Sequence, residues 1–336
     1  MRVRLLVFGA AGLLALGMGG PSFAAYDPSL VVVTRNASAG SSASVVLSLG
    51  GGSYQQGDDT TGKITVYAPA GYAVKLDHPA GTAIGGLDVF ILVGGVPAGA
   101  EFGTVKADDP ANHVANSCAP GTHDAVWVLE FTFAGSRVRL PVYVDRVTAS
   151  PESAYASARM LACIPPAQAG VTVKDAIFGL RGVFTNPSAR GTYPWNAVFV
   201  PYTAGTATLN APGAVQSTSS LRLPVTFNVK TSRRGGRLIV VACVRETGRP
   251  VSGARIDVLR GSSFQKGFKA VAAARTNRGG CATTSIQPRR HVRRMFAIAQ
   301  IRIRPASGCT PTLAPRCSGV SLGGVGPVVR VFRVRR

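Results

Sequence analysis

The chain has 336 residues, 46% of them hydrophobic, with 40 Gly, 22 Pro and a formal net charge of +22. That length admits two or three cores of ordinary domain size, and the wealth of small residues and turn formers suits short strands better than long helices. No stretch offers an amphipathic helix of several turns, which argues against a helical fold and for an all-β one.

The chain opens on Arg2 and Arg4, an apolar run over residues 5–18, and small side chains at Ser22 and Ala24. This pattern predicts a signal peptide over residues 1–24, cleaved after Ala24 or one residue later. The run is too short and too rich in Gly and Ala for a membrane span, which needs about 20 strongly apolar residues. No cysteine follows it and the C-terminus carries no hydrophobic tail. The mature protein is therefore expected to be secreted, or held at the cell surface by non-covalent contacts.

Residues 29–35 and 43–49 read as short apolar strands around a Gly/Ser turn, and residues 50–61 as a loop. Residues 62–76 alternate on both sides of Pro69-Ala70-Gly71, a hairpin or a sharp bend. Strands follow at 88–93, 125–133 and 137–147. In the last, Val138, Leu140, Val142 and Val144 face one way and Arg137, Arg139, Tyr143 and Asp145 the other. Pro141 has no amide hydrogen to give, so it belongs at an edge or a non-bonding position. Ser150 and Pro151 can open a helix continued over 154–163, and the same residues can equally form a strand ending at Ile164. Strands at 176–184, 195–202 and 206–209 complete a first β-sandwich body over 25–210, with roughly nine or ten strands.

Chemistry-bearing residues in this half gather in one loop, where Asp108, Asp109, His113, His123 and Asp124 surround Cys118. Histidines with carboxylates can bind a divalent metal or transfer protons. Against this, the loop is rich in Pro, Gly and Asn, and its spacings fit no helix-presented ligand pair. It reads as a solvated loop pinned by a disulfide, with a secreted hydrolase as the alternative. Asp58 and Asp59 lack the further oxygen ligands of a calcium loop. No G-x-S-x-G elbow, phosphate-binding loop or dinucleotide fingerprint occurs, so no catalytic residue, metal or cofactor is assigned.

Six cysteines in an exported chain, none with C-x-x-C spacing, point to disulfides. Their distribution favours Cys118 with Cys163, Cys243 with Cys281, and Cys309 with Cys317. In a loop-entropy account the first two stabilise by about 4 kcal/mol each and the third by about 2.5.

Charge divides the chain. Residues 1–215 hold 13 basic and 13 acidic residues, whereas 216–336 hold 24 basic residues and two acids, Glu246 and Asp257. The shift places a domain boundary near 211–220, a stretch of Ala, Pro, Gly and Ser suited to a linker. A coding preference for arginine explains Arg over Lys. It does not explain why acids vanish from one half, and an anionic partner is the expectation.

In that half Leu221, Leu223, Val225, Phe227 and Val229 alternate inward against Arg222, Thr226, Asn228 and Lys230 outward. Residues 238–286 then read as strand, turn, strand, loop, strand, turn and strand. Leu238, Val240, Ala242 and Val244 share one face of the first, and Ile239, Val241, Cys243 and Arg245 the other. Within this stretch Gly248-Arg249-Pro250-Val251-Ser252-Gly253-Ala254-Arg255-Ile256-Asp257-Val258, followed by Thr276 and Gly279-Gly280, resembles the G-x-P-V-x-G-A-x-V-x-V … T-x-x-x-G pattern of bacterial immunoglobulin-like and carboxypeptidase-regulatory-like domains. The likeness spans about 50 residues and departs from the usual pattern at Arg245-Glu246 and at both cysteines. It implies an immunoglobulin-like β-sandwich over 221–336 and a spacer, adhesive or binding role without catalysis.

Further strands are expected at 295–304 and 328–335. The outward or terminal cations Arg222, Lys230, Arg302, Arg304, Arg330, Arg333 and Arg335, with Arg289, Arg290, Arg293 and Arg294 around His291, are candidates for one positive surface. Its partners would be an anionic envelope polymer, an acidic polysaccharide or an anionic lipid surface. Nucleic acid is disfavoured, because this half has five Phe and no Tyr or Trp to stack on bases. A purely structural surface module is the remaining reading.

Overall fold

The computed structural model describes residues 26–51, 60–113, 118–166, 171–260, 269–287, 294–302, 309–318 and 325–334. The expected signal peptide lies outside them, as do Asp58 and Asp59. The chain is all-β, as its composition leads one to expect. Among the described residues the helical turns are the short 3-10 segments Pro110–Asn112, Glu152–Ala154 and Ala211–Gly213.

The first-half strands are β1 (Ser29–Thr34), β2 (Ser42–Gly50), β3 (Thr61–Pro69), β4 (Ala73–Val74), β5 (Ala83–Val93) and β6 (Val96–Asp108). They continue with β7 (Ala125–Phe133), β8 (Ser136–Arg146), β9 (Ala156–Cys163), β10 (Val171–Thr185), β11 (Gly191–Pro201) and β12 (Val215–Leu223). Antiparallel ladders join them in the order β1-β2-β10-β5-β6-β7-β8-β9-β3-β11-β12. The sheet curls until its two ends meet, where Leu30 and Val32 of β1 donate their amides to the hydroxyls of Ser217 and Ser219 on β12. Alternation decides what lies inside. Leu30, Leu47, Leu180, Trp127, Trp195 and Phe199 point inward and are fully buried, each such side chain contributing about 1.5–3 kcal/mol. Trp195 packs edge-on against Tyr72 at 5.2 Å and Phe184 at 5.3 Å.

Several elements differ from the sequence reading for identifiable reasons. After the 3-10 turn, Ala156–Cys163 is a strand and not a helix, because it lies between β8 and β3 and bonds to both. Residues 62–76 form a bend, since β3 pairs with β9 and β11 while β4 pairs with β10. Residues 206–209 contribute a single bridge, Tyr202 to Leu209, within a turn. Strand β6 was not anticipated, because Pro97, Gly99 and Gly103 interrupt its alternation. Pro141 lies opposite Val128 on β7, and pairing with β9 begins one residue later at Val142, so its missing amide faces an unpaired side. Where a linker was expected, residues 211–220 form a 3-10 turn and most of β12, bonded along its length to β11.

Pro224 separates β12 from β13 (Val225–Arg234), which belongs to a second sheet. There β13 pairs with β14 (Arg237–Glu246), and β14 with β15 (Arg249–Pro250) and β18 (Cys281–Ile286). The β13–β14 turn is Gly235-Gly236, both at positive φ as a two-residue hairpin of this kind requires. Facing this sheet are β16 (Arg255–Arg260), β17 (Lys269–Arg275), β19 (Arg294–Arg302) and β21 (Val325–Arg333), in the order β17-β16-β19-β21. Phe227, Leu238, Val240, Ala242 and Val244 from one layer meet Ile256, Val258, Ala297 and Ala299 from the other, all at most 2% exposed. The inward sets expected for β13 and β14 are therefore the buried ones, with Val229 partly so.

This half is stitched to the first. Thr34 of β1 pairs with Val328 of β21, and Ala37 bridges Val225. The short strand β20 (Arg316–Cys317) lies parallel to Val215 and Gln216 of β12. Buried apolar residues of both halves form one contiguous cluster. Disulfides join Cys118 to Cys163, Cys243 to Cys281 and Cys309 to Cys317.

Candidate anion-binding surface

Both acids of the basic half are occupied. Glu246, at the end of β14, accepts Arg222 Nε at 2.8 Å and Arg190 Nε at 3.0 Å, and Arg222 also donates to Thr192 Oγ1 at 2.8 Å. Asp257 accepts Arg255 Nε at 2.9 Å on each of its oxygens. Several other described cations of the half, Lys230, Arg234, Arg237 and Arg245 among them, pair with neither acid.

Four of these cations share the outer face of the β13–β14–β18 sheet. The strand period sends Thr226, Asn228, Lys230, Ser232 and Arg234 outward on β13, opposite Phe227. On β14 the same face carries Arg237, Ile239, Val241, Cys243 and Arg245, and on β18 Cys281, Thr283 and Ser285. Register sets Arg234 beside Arg237, Lys230 beside Val241 and Thr226 beside Arg245. Arg237 Nε donates to Ser285 Oγ at 2.8 Å and Arg245 to the Gly248 carbonyl at 3.1 Å, which fixes both guanidiniums on the face. The Cys243–Cys281 bridge joins direct cross-strand partners at its centre. No carboxylate lies among the described residues of this face. Cations fixed on a flat sheet among hydroxyls can contact an extended polyanion at several points at once.

The residues singled out from sequence are placed as follows. Lys230 is exposed on this face. Arg222 is tied to Glu246, and Arg330 of β21 reaches across the sandwich edge to donate to the Phe227 carbonyl at 2.8 Å. Arg294, Arg302 and Arg333 lie on strands, Arg294 and Arg333 being register partners, but their side chains are outside the described set. Arg289, Arg290, Arg293, Arg304 and Arg335 also fall outside the described residues. Sequence reasoning missed Arg234, Arg237 and Arg245 as members of one face. Extending the β13 alternation past Lys230 and pairing it across Gly235-Gly236 would have found them.

The loop weighed as a hydrolase site divides between two carboxylates. His113 Nε2 lies 3.0 Å from Asp108, which also accepts Arg139 at 2.9 Å. The hydrogen bond from His113, opposed by burial and joined by the Asp109 amide, holds Asp108 below the usual carboxylate range. His123 instead meets Asp145 at 3.0 Å and the Ala119 carbonyl at 3.3 Å, its ring 4.6 Å from Tyr143. Asp145 in turn holds Arg159 at 3.0 Å, and Asp124 accepts the Arg146 amide at 2.7 Å. Under this loop Ala119, Val126, Val128, Tyr143 and Leu161 form a small core on the outer face of β7–β9, closed by the Cys118–Cys163 bridge. The arrangement pins a cover onto a sheet. Among the described residues no three His, Cys, Asp or Glu side chains converge as a metal site would require, and no helix is long and apolar enough to cross a membrane.

No protein-family model and no curated sequence matches the chain. Among solved structures it is similar to the pilus 2b backbone protein of group B streptococcus, 9% identical, over 90% of this chain and 97% of that one, with a TM-score of 0.24. A tetra-tandem repeat from the extending region of a large adhesion protein is 10% identical over 92% and 99% of the two chains, with a TM-score of 0.20. Native alpha-2-macroglobulin from Escherichia coli is 12% identical over 80% and 93%, with a TM-score of 0.19. At such scores these superpositions add nothing to the pairing described above.

Proposed function

We propose that this is an exported, non-catalytic binding or structural protein whose basic half attaches it to an anionic polymer of the cell envelope or extracellular matrix. The observation that carries this reading is the occupation of Glu246 and Asp257 by arginines, which leaves Lys230, Arg234, Arg237 and Arg245 together on a face without an acid. The leader-like N-terminus and three disulfides support an oxidising, extracytoplasmic location, secreted or at the cell surface. An acidic polysaccharide fits this face better than nucleic acid, since the half has no Tyr or Trp for bases to stack on.

The test is retention of the mature chain on immobilised dextran sulfate against a salt gradient. Charge-driven attachment predicts late elution that moves to lower salt when Lys230, Arg234, Arg237 and Arg245 are all replaced by Glu. Early release of the parent protein, or retention indifferent to the four replacements, rejects the reading.

A further inference from the structure

Away from the basic half, the outer face of the first-half sheet carries a trough that the attachment reading does not use. The ladders fix its layout. Arg35, one residue beyond β1, donates its amide to the Ser44 carbonyl at 2.9 Å, and Ser44 is the register partner of Arg181 on β10. Two arginines thus flank one serine on three adjacent strands. Neighbouring strands lie about 4.8 Å apart, so the two Cα atoms stand about 10 Å apart and both side chains reach one anionic group. Two residues along, Gly179 of β10 faces Gly86 of β5; two further, Ile177 faces Asp88, which lies opposite Phe102 of β6.

The core does not demand glycine at Gly86 or Gly179. Neither has a positive φ; a Cβ on Gly86 would meet nothing within 4 Å, and one on Gly179 only Val46 at 3.7 Å. Gly85 and Gly103 differ, since a Cβ there would stand 2.3 Å from the Gly179 carbonyl and 2.1 Å from the Glu130 carbonyl. The two bare outward positions shape the surface. They floor a groove of about 220 Å³ walled by Val46 and by Phe102, a residue 49% exposed.

Among the described residues the side chains of Arg35, Arg181 and Asp88 make no hydrogen bond or ion pair. Asp88 is four residues along the strands from the arginines, about 13 Å at about 3.3 Å per residue, too far to neutralise them. Burial, and then the neighbouring Arg181, lower Arg35 from its ordinary value, and burial raises Asp88. Arg35 and Arg181 are exposed and Asp88 is half-buried, so the three charges stand within reach of a ligand and without partners among the described residues.

We propose that this trough binds an acidic saccharide, with a sugar carboxylate bridging Arg35 and Arg181, the ring seated on the Gly179–Gly86 floor against Phe102, and a neighbouring sugar's hydroxyls donating to Asp88. A floor without side chains admits a flat, rigid body against the backbone. Guanidiniums at one end take a planar carboxylate in their fork. A carboxylate at the other end accepts from hydroxyls and repels a second acid, which selects a chain of alternating acidic and neutral sugars over a phosphate backbone charged at every unit.

Calorimetric titration of the mature chain with a short hyaluronan oligosaccharide, in which uronic acids alternate with neutral sugars, tests the site. Its carboxyl-reduced form is expected to bind about tenfold more weakly or worse, and Arg181→Gln to lose a similar factor toward the acidic form. Gly86→Val fills the floor and is expected to abolish binding while the far-ultraviolet spectrum is kept. Phe102→Ser provides a second wall-side test should the valine disturb the sheet. Every arm is titrated in a chain carrying Lys230→Glu, Arg234→Glu, Arg237→Glu and Arg245→Glu, so that the polyanion-binding face takes no sugar and binding is read at the trough alone. The proposal is overturned by absent binding, by equal binding of the carboxyl-reduced sugar or of an acidic peptide of matched charge, or by indifference to Arg181→Gln and Gly86→Val.

Discussion

The amide of Val32 donates to the hydroxyl of Ser219 at 2.9 Å, deep in a seam where β1 and β12 run side by side without a backbone ladder. Leu30 and Ser217 repeat the contact two residues back at 3.0 Å. Serine oxygens here stand where strand carbonyls ordinarily would, and Ser219 is 0% exposed, so no water can replace it. Ser219→Ala strands the Val32 amide and is expected to cost about 1–3 kcal/mol, read as a lower urea midpoint at unchanged slope.

That seam explains where sequence reading stops. Residues 215–220 are rich in Ser, Thr and Gln, and locally they have the composition of a linker. Their role is set by β1, some 187 residues away, which no local pattern contains. Strand β14 is the opposite case: Leu238, Val240, Ala242 and Val244 are buried because a two-residue period is all that is needed to assign them. For the site, outward directions at Lys230 and Arg222 were legible. The fate of Arg222 was not, since Glu246 lies on another sheet and reaches it only through the fold.

The Thr276-to-Gly280 turn was legible and has a steric cause. Thr276 Oγ1 donates to the Val251 carbonyl at 2.6 Å and accepts the Ala254 amide at 2.9 Å, closing the turn. Gly280 sits at φ +76, where a Cβ would lie 2.6 Å from the Val244 carbonyl. Gly280→Ala is expected to cost at least about 1–3 kcal/mol from backbone strain, with the clash adding to it. Gly279→Ala, whose Cβ would meet only Asn277 Oδ1 at 3.3 Å, should be near neutral, and thermal melts of the pair make the comparison.

Gln216 holds the Cys309–Cys317 loop against the first half. Its side chain is 0% exposed, accepts the Leu313 amide at 2.7 Å, and donates to the Pro311 carbonyl at 3.0 Å and to Asn196 at 3.1 Å. Gln216→Leu keeps similar bulk but takes the side-chain partner from the Leu313 amide and the Pro311 carbonyl, while Asn196 keeps Thr218 Oγ1 at 2.7 Å, for about 1–3 kcal/mol. Faster protease cleavage and amide exchange within 309–318 are the expected signs; unchanged protection would show that β20 alone holds the loop.

Asp108 makes acid stability testable. Its carboxyl lies below its ordinary value because His113 hydrogen-bonds it. A depressed folded pKa means the contribution is present above the unfolded value, about 3.9, and is lost as pH falls through the lower folded one. Melting temperature should therefore fall below about pH 4, and Asp108→Asn should flatten that part of the decline while lowering stability at neutral pH.

Glu246 separates attachment from stability, because the two should move in opposite directions when it is changed. It is the shared acceptor of Arg190 and Arg222, and its side chain is 15% exposed, so it joins the halves as an ion triad partly shielded from salt. Glu246→Gln keeps its shape but removes the charge, leaving two guanidiniums close together at the junction. Stability is expected to drop by about 1–3 kcal/mol, since a hydrogen bond to a charged group has been weakened on both sides. Retention on dextran sulfate is expected to rise, because two more cations are released to the basic side of the molecule. A variant that is less stable and also less retained would mean that retention follows the integrity of the fold and not the count of unneutralised arginines.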